Sequence, residues 1–273
     1  MTRIPDRSAR TARLVRPRFA AGLAGAVVAL LLAARAVAGP IDDMVAFDAC
    51  FIPALASTSA AAADPRAVER ARTSVARLVS AWPTLRRRLE TAGAGTPGRA
   101  RWPAMLAELD RRIAQADALV RQARFADAHE ALEHVRPAML DARRAAGIDY
   151  LVDRLVEYHE PMESLVAMAS AAREGRLDER ERAGMVRTFA QARAAWIAIE
   201  RTPLDADRHG LSVQRLEQYR RGVSDESEAL TRLSEALRNG DGATLAAAAE
   251  ALKPPFARAY TAFGQPPDAS AAR

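Results

Sequence analysis

The chain has 273 residues, 49% apolar and 27% charged, which is enough to bury a core and unlike a disordered tail. Its formal charge of +6 suggests a nucleic-acid binder, but residues 1–38 carry the whole excess, with seven arginines (Arg3, Arg7, Arg10, Arg13, Arg16, Arg18, Arg35) against Asp6. The other 235 residues balance 33 bases with 33 acids, and the one cysteine, Cys50, excludes an intrachain disulfide framework and any multi-cysteine metal or haem-attachment motif.

The arginine-rich start is followed by an apolar run from Phe19 to Ala34 and by the small-x-small site Ala36-Val37-Ala38. This is the three-part layout of a secretory signal peptide, here residues 1–38. The run is shorter than the roughly 20 residues needed to cross a bilayer, so no stable membrane span is expected after cleavage. The predicted destination is the periplasm, or the medium if the chain is secreted.

Beyond the leader, alanine, leucine, arginine and glutamate dominate and β-branched runs are missing, which predicts an all-α fold. Apolar residues recur by three and four, as in Phe125, Ala128, Leu132, Val135, Met139, Ala142 and Ala146. Breakers at Asp64-Pro65, Thr91 to Gly98, Gly147, Arg176 to Asp178, Thr202 to Gly210 and Asn239 to Gly242 then delimit eight helices. Their ranges are 41–62, 65–90, 99–122, 124–146, 149–174, 179–200, 211–238 and 243–263, with 265–273 a flexible tail. Pro53, Pro137, Pro161 and Pro254 fall inside them and should bend them. Cys50 should be a small buried residue, and Trp82, Trp102 and Trp196 should anchor the core.

An internal repeat organises these helices. Asp64 through Trp82 aligns without a gap on Asp178 through Trp196, 114 residues on, and Val135 through Gly147 aligns on Leu252 through Gly264, 117 residues on. At the same 117-residue offset Trp102 falls on Tyr219 and Ile113 on Leu230, while Phe47 and Phe51 match Tyr158 and Met162 more loosely. The expectation is two tandem antiparallel four-helix-bundle units, 41–147 and 148–264.

Chemistry concentrates in two pentads. His129-Glu130-Ala-Leu-Glu133 is followed directly by His134, and His159-Glu160-Pro-Met-Glu163 repeats the pattern. In each, a histidine and a glutamate four apart share a helix face, a donor set suited to Zn, Cu or Fe. Counted from the Gly147 turn, His134 and His159 stand at similar height. His129 and His159, the two that flank the core, differ by six residues, about 9 Å of helical rise. The competing reading is a solvated face, since Glu130, Glu133 and His134 take outer positions on their helix. The pentads lack the second histidine of H-E-x-x-H, and no nucleophile elbow, phosphate loop or dinucleotide fingerprint is present. His209, in a loop segment, should simply be exposed. Together these features predict a non-enzymatic protein that binds a protein partner or a small ligand, with metal binding by the pentads as the alternative. Nucleic acid is not an expected partner.

Overall fold

The computed structural model describes residues 39–173 and 178–265. The leader, the turn at Arg176-Leu177 and the tail beyond Gln265 lie outside the described residues. What is described is all-helical and belongs to one compact unit.

In chain order the helices are α1 (Pro40–Ala63), α2 (Val68–Ala94), α3 (Trp102–Arg121), α4 (Phe125–Glu133), α5 (Val135–Ala145), α6 (Leu151–Arg173), α7 (Glu179–Arg201), α8 (Val213–Asn239), α9 (Gly242–Glu250) and α10 (Lys253–Thr261). Short 3-10 turns, Pro65–Ala67 and Arg99–Arg101, lead into α2 and α3. Several of the starts follow from side-chain capping. Asp64 accepts from the Arg66 amide at 2.9 Å. Asp178 and Glu181 form a reciprocal capping box at 2.8 Å in both directions, and Asp241 accepts from the Thr244 amide at 2.7 Å. Gly147 makes its turn with φ +68°, where a side chain would be strained.

Two of the eight predicted helices are broken, each at the place its proline dictates. Pro137 cannot donate to the carbonyl of Glu133, and α4 ends at Glu133; Pro254 cannot donate to that of Glu250, and α9 ends at Glu250. Pro53 and Pro161 sit inside unbroken helices, as does Pro83 in α2. At Pro53 the carbonyl left without a helical donor belongs to Ala49, and the Gln265 amide supplies the bond from across the molecule at 2.9 Å. The helix α2 also runs on to Ala94, past the predicted stop at residue 90, because Gly93 lies directly against the Trp102 indole.

α1 packs on α2, α2 on α3, α3 on α4, and α4 back on α1; in the same way α6 packs on α7 and on α9, and α8 on α7, α9 and α10. Contacts of α10 with α1 and of α5 with α6 join the two sets. Inside the first set Phe47 stacks on Phe51 at 5.2 Å and meets Trp82 edge-on at 6.0 Å; inside the second Tyr158 lies 4.6 Å from Trp196. Trp82 donates its indole N–H to Asp110 at 2.7 Å, and Arg86 holds the same carboxylate at 3.0 Å. Trp196 donates to Ser227 at 3.0 Å, whose hydroxyl in turn donates to Glu200. All three tryptophans are buried, as is Cys50.

α1 is the one described helix long and apolar enough to cross a membrane, and 67% of its apolar window is buried inside the helical body. It also carries two buried carboxylates, both partnered. Asp43 accepts from Arg88 and Asp48 from the Tyr150 hydroxyl, each at 2.7 Å.

Candidate functional site

A cleft of about 570 Å³ opens where α1, the break between α4 and α5, α6 and α10 meet. Leu55 and Ala56 of α1, Met162 of α6 and Phe256 of α10 form its apolar wall. Its polar groups are the hydroxyls of Ser59 and Thr261 together with His129, Glu130, Glu133, Arg136, His159, Glu163, Lys253 and Tyr260.

Five of the seven pentad residues singled out in the sequence therefore share one cleft. His134 and Glu160 do not line it. His134 is half exposed and its Nε2 lies 3.5 Å from Glu130, so the similar height counted from the turn does not bring it to His159. His129 and His159 reach the same cleft despite the six-residue mismatch. The reason is the break at His134, which removes the straight helix on which that count rested.

The centre of the cleft is held by a residue that sequence reasoning passed over. Arg136, 5% exposed, pairs with Glu133, lies with its guanidinium 5.4 Å from the Tyr260 ring centre, and places Nη2 at 3.1 Å from Nε2 and 3.3 Å from Nδ1 of His159. Burial pushes its pKa down, with Tyr260 and Glu163 opposing. Lys253, the chain's only lysine, closes the other side by pairing with Glu163 at 2.7 Å. The signal that could have found both cations was present: each immediately precedes the proline that aligns Val135–Gly147 with Leu252–Gly264.

These neighbours fix the histidines as neutral rings. Burial, reinforced by Arg136, Lys253 and His129, lowers the pKa of His159 to about 3. Burial also lowers that of His129, although its ring bonds to the Leu55 carbonyl; since a carbonyl can only accept, Nδ1 carries the proton in that 3.2 Å bond. Nε2 of His129 is then an acceptor, so its 3.3 Å approach to Glu133 is no hydrogen bond, and that carboxylate pairs with Arg136. A ring with a pKa near 3 stays neutral at neutral pH, with one N–H and one lone pair, and is a weak base, so the cleft is better fitted to hydrogen-bond a ligand than to transfer a proton. No group of three or more His, Cys, Asp or Glu side chains is placed to hold a metal ion among the described residues.

Two further buried polar assemblies lie nearby. Arg143 forms a two-pronged pair with Asp153, with Nε–O distances of 2.8 and 2.9 Å, and lies over the Tyr150 ring; burial raises the pKa of neighbouring Asp48 to about 6 against the pull of Arg143. Tyr158 donates to Glu226, whose pKa burial raises to about 8. His209, expected to be exposed, is instead buried at 9% exposure. Its ring stacks on Tyr150 at 5.7 Å and meets Phe263 edge-on, and Nδ1 donates to the Asp205 carbonyl at 2.8 Å.

Comparison of the chain with protein-family models, curated proteins and solved structures gives no match.

Proposed function

We propose that the chain is an exported protein of two tandem four-helix units, 41–147 and 148–264, which binds a small ligand or a partner segment, without chemistry, in the cleft where the units meet. The observation that carries this reading is the meeting of Arg136 and Lys253, aligned positions of the two units, in one cleft with two neutral histidines. Matched contacts support the repeat. The hydrogen bonds of Trp82 to Asp110 and of Trp196 to Ser227 join aligned positions, and Arg86 and Glu200, also aligned, complete each group. The helix breaks after Glu133 and after Glu250 lie 117 residues apart, the offset of the aligned blocks. The cleft's size falls in the range of small-ligand sites, and its apolar wall with a few converging polar groups has their usual make-up.

Export is tested by expressing the full chain in a Gram-negative bacterium and sequencing the N-terminus of the product. A periplasmic chain beginning at Gly39 is expected; a cytoplasmic chain that keeps Met1 overturns it. Binding is tested by native mass spectrometry of the protein taken directly from cell extract. A bound mass lost in Arg136→Gln supports the reading, and recovery of only free protein counts against it.

The alternative, zinc, copper or iron held by His129, His159, Glu133 and Glu163, draws on their sharing one cleft, although as they stand these side chains are not placed together to hold a metal ion. It requires the Arg136 guanidinium to leave its place against His159 and Glu133. Stoichiometric zinc uptake that disappears in a His129→Ala, His159→Ala variant would favour it. No uptake at micromolar zinc would end it.

A further inference from the structure

On the other side of Ala56 and Thr261, which line both cavities, lies a larger cleft of about 970 Å³. Its charged groups are of one sign: Arg70 and Arg77 of α2 and Arg215 of α8, with no carboxylate among its described lining residues. This sets it apart in a chain whose bases and acids balance outside the leader, and in which arginines elsewhere are repeatedly paired with Asp or Glu. None of the three pairs with a carboxylate among the described residues. Arg77 donates one Nη1 bond to the Gln265 carbonyl at 2.6 Å, and Arg215 reaches the Thr261 carbonyl at 3.3 Å. A guanidinium has five N–H donors, so most of theirs remain for a ligand. Burial pushes the Arg215 pKa down with no acid to raise it again, so an anion arriving there would relieve a cost already present.

Ser74 supplies an independent observation. It lines the cleft, is 1% exposed, and its hydroxyl has no hydrogen-bond partner. An unpartnered buried hydroxyl carries an uncompensated desolvation cost, which a ligand oxygen would relieve. The capping residue Ser212 also lines the cleft, so the N-terminus of the 27-residue helix α8 adds its positive end to the arginines. The rest of the polar lining is hydroxyl and amide, including Gln218, groups that hydrogen-bond sugar hydroxyls.

We propose that this cleft binds a hydroxyl-rich organic anion, a sugar carrying a phosphate or carboxylate, with Arg70, Arg77 and Arg215 taking the acidic group and Ser74 and Gln218 among the donors and acceptors to the rest. The volume far exceeds one phosphate, which is why the ligand is an organic anion and not the bare ion. The site is separate from the histidine cleft, and neither reading depends on the other.

The test is calorimetric titration of the purified protein with glucose 6-phosphate, glucuronate, inorganic phosphate and uncharged glucose. Saturable binding of at least one charged sugar, tighter than glucose and weakened by added sodium chloride, is expected. The Arg70→Gln, Arg215→Gln variant should lose about tenfold or more in affinity. Ser74→Ala, which removes only the unpartnered hydroxyl, should not lower the thermal midpoint and should lose affinity about threefold or more. Should the double variant unfold, Arg70→Gln alone, at an exposed side chain, must still weaken binding. Arg258→Gln, paired with Asp225 and outside the cleft lining, should leave it unchanged. Binding of glucuronate alone or glucose 6-phosphate alone identifies the acidic group. Inorganic phosphate binding as tightly as the sugar phosphate overturns the organic part of the proposal. Failure of every charged probe to bind better than glucose, or equal binding by the arginine variants, overturns the site.

Discussion

The Tyr158 hydroxyl donates to one carboxyl oxygen of Glu226 in the packed interior, where Glu226 is 0% exposed and its second carboxyl oxygen has no partner. In the proposed repeat the aligned residues of the first unit are Phe47 and Leu109, so one unit carries a polar pair where the other is wholly apolar. Burial lifts the Glu226 pKa from its ordinary 4.5 to about 8. The folded state thus holds this proton more tightly than the unfolded chain, and stability falls as pH rises between those values. Glu226→Gln keeps an acceptor for Tyr158 and abolishes the titration. Relative to the native protein, it should gain roughly 2–4 kcal/mol in urea unfolding between about pH 5 and pH 9. A stability difference that stays constant across that range would contradict the assignment.

His159 acts in the opposite sense. Its folded pKa of about 3 lies below the ordinary 6.5, so the unfolded chain binds the proton more readily. Its contribution is complete above about pH 6.5 and is lost as pH falls toward 3. His159→Gln should therefore narrow the loss in urea stability between about pH 7 and pH 4.5 by roughly 2 kcal/mol. An unchanged acid limb would mean that the ring is protonated beside Arg136, contrary to its surroundings.

The pair Arg143–Asp153, both buried, joins α5 to α6. Arg143→Met leaves Asp153 and Asp48 without their cation and should cost about 3–5 kcal/mol, read from the denaturant midpoint. Adding Asp153→Leu should restore a large part of that loss. A double variant no more stable than the single one would show that the guanidinium acts through packing on Tyr150 and Met44, not through charge.

At Gly93 an added methyl would collide with the Trp102 indole, whereas at Gly95 nothing lies within 4 Å. Gly93→Ala should lower stability by about 1–3 kcal/mol, while Gly95→Ala should change it by less than about 0.5 kcal/mol. Equal thermal midpoints for the two variants would remove the packing account of why α2 continues past residue 90.

Helix content and most boundaries were legible in the sequence because capping residues and apolar spacing act locally. Asp178 with Glu181 and Gly147 each performs its role within a few residues. The two broken helices were legible only in part. A proline announces a missing donor, but whether the helix bends or stops depends on what else reaches the freed carbonyl, as Gln265 does for Pro53. The turn between α3 and α4 uses Ala123 at φ +58°, with no glycine to mark it. Arg136 was missed and His209 misjudged for a common reason. A charged or loop residue reads as solvated until the tertiary fold sets Tyr260 beside the one and Tyr150 over the other.

The bond from Gln265 to Ala49 and that from Tyr150 to Asp48 also bear on the order of assembly. The helix α1 precedes the other described helices in synthesis, and it is the most membrane-like of them. Its interior carbonyl at Ala49 and its carboxylate at Asp48 stay unmatched until residues 216 and 102 positions later have been made. A greasy segment with open polar groups must therefore wait for nearly the whole chain. Gln265, the last described residue, docks onto the first described helix, and a truncation before Phe263 should be felt first at α1, far away in sequence.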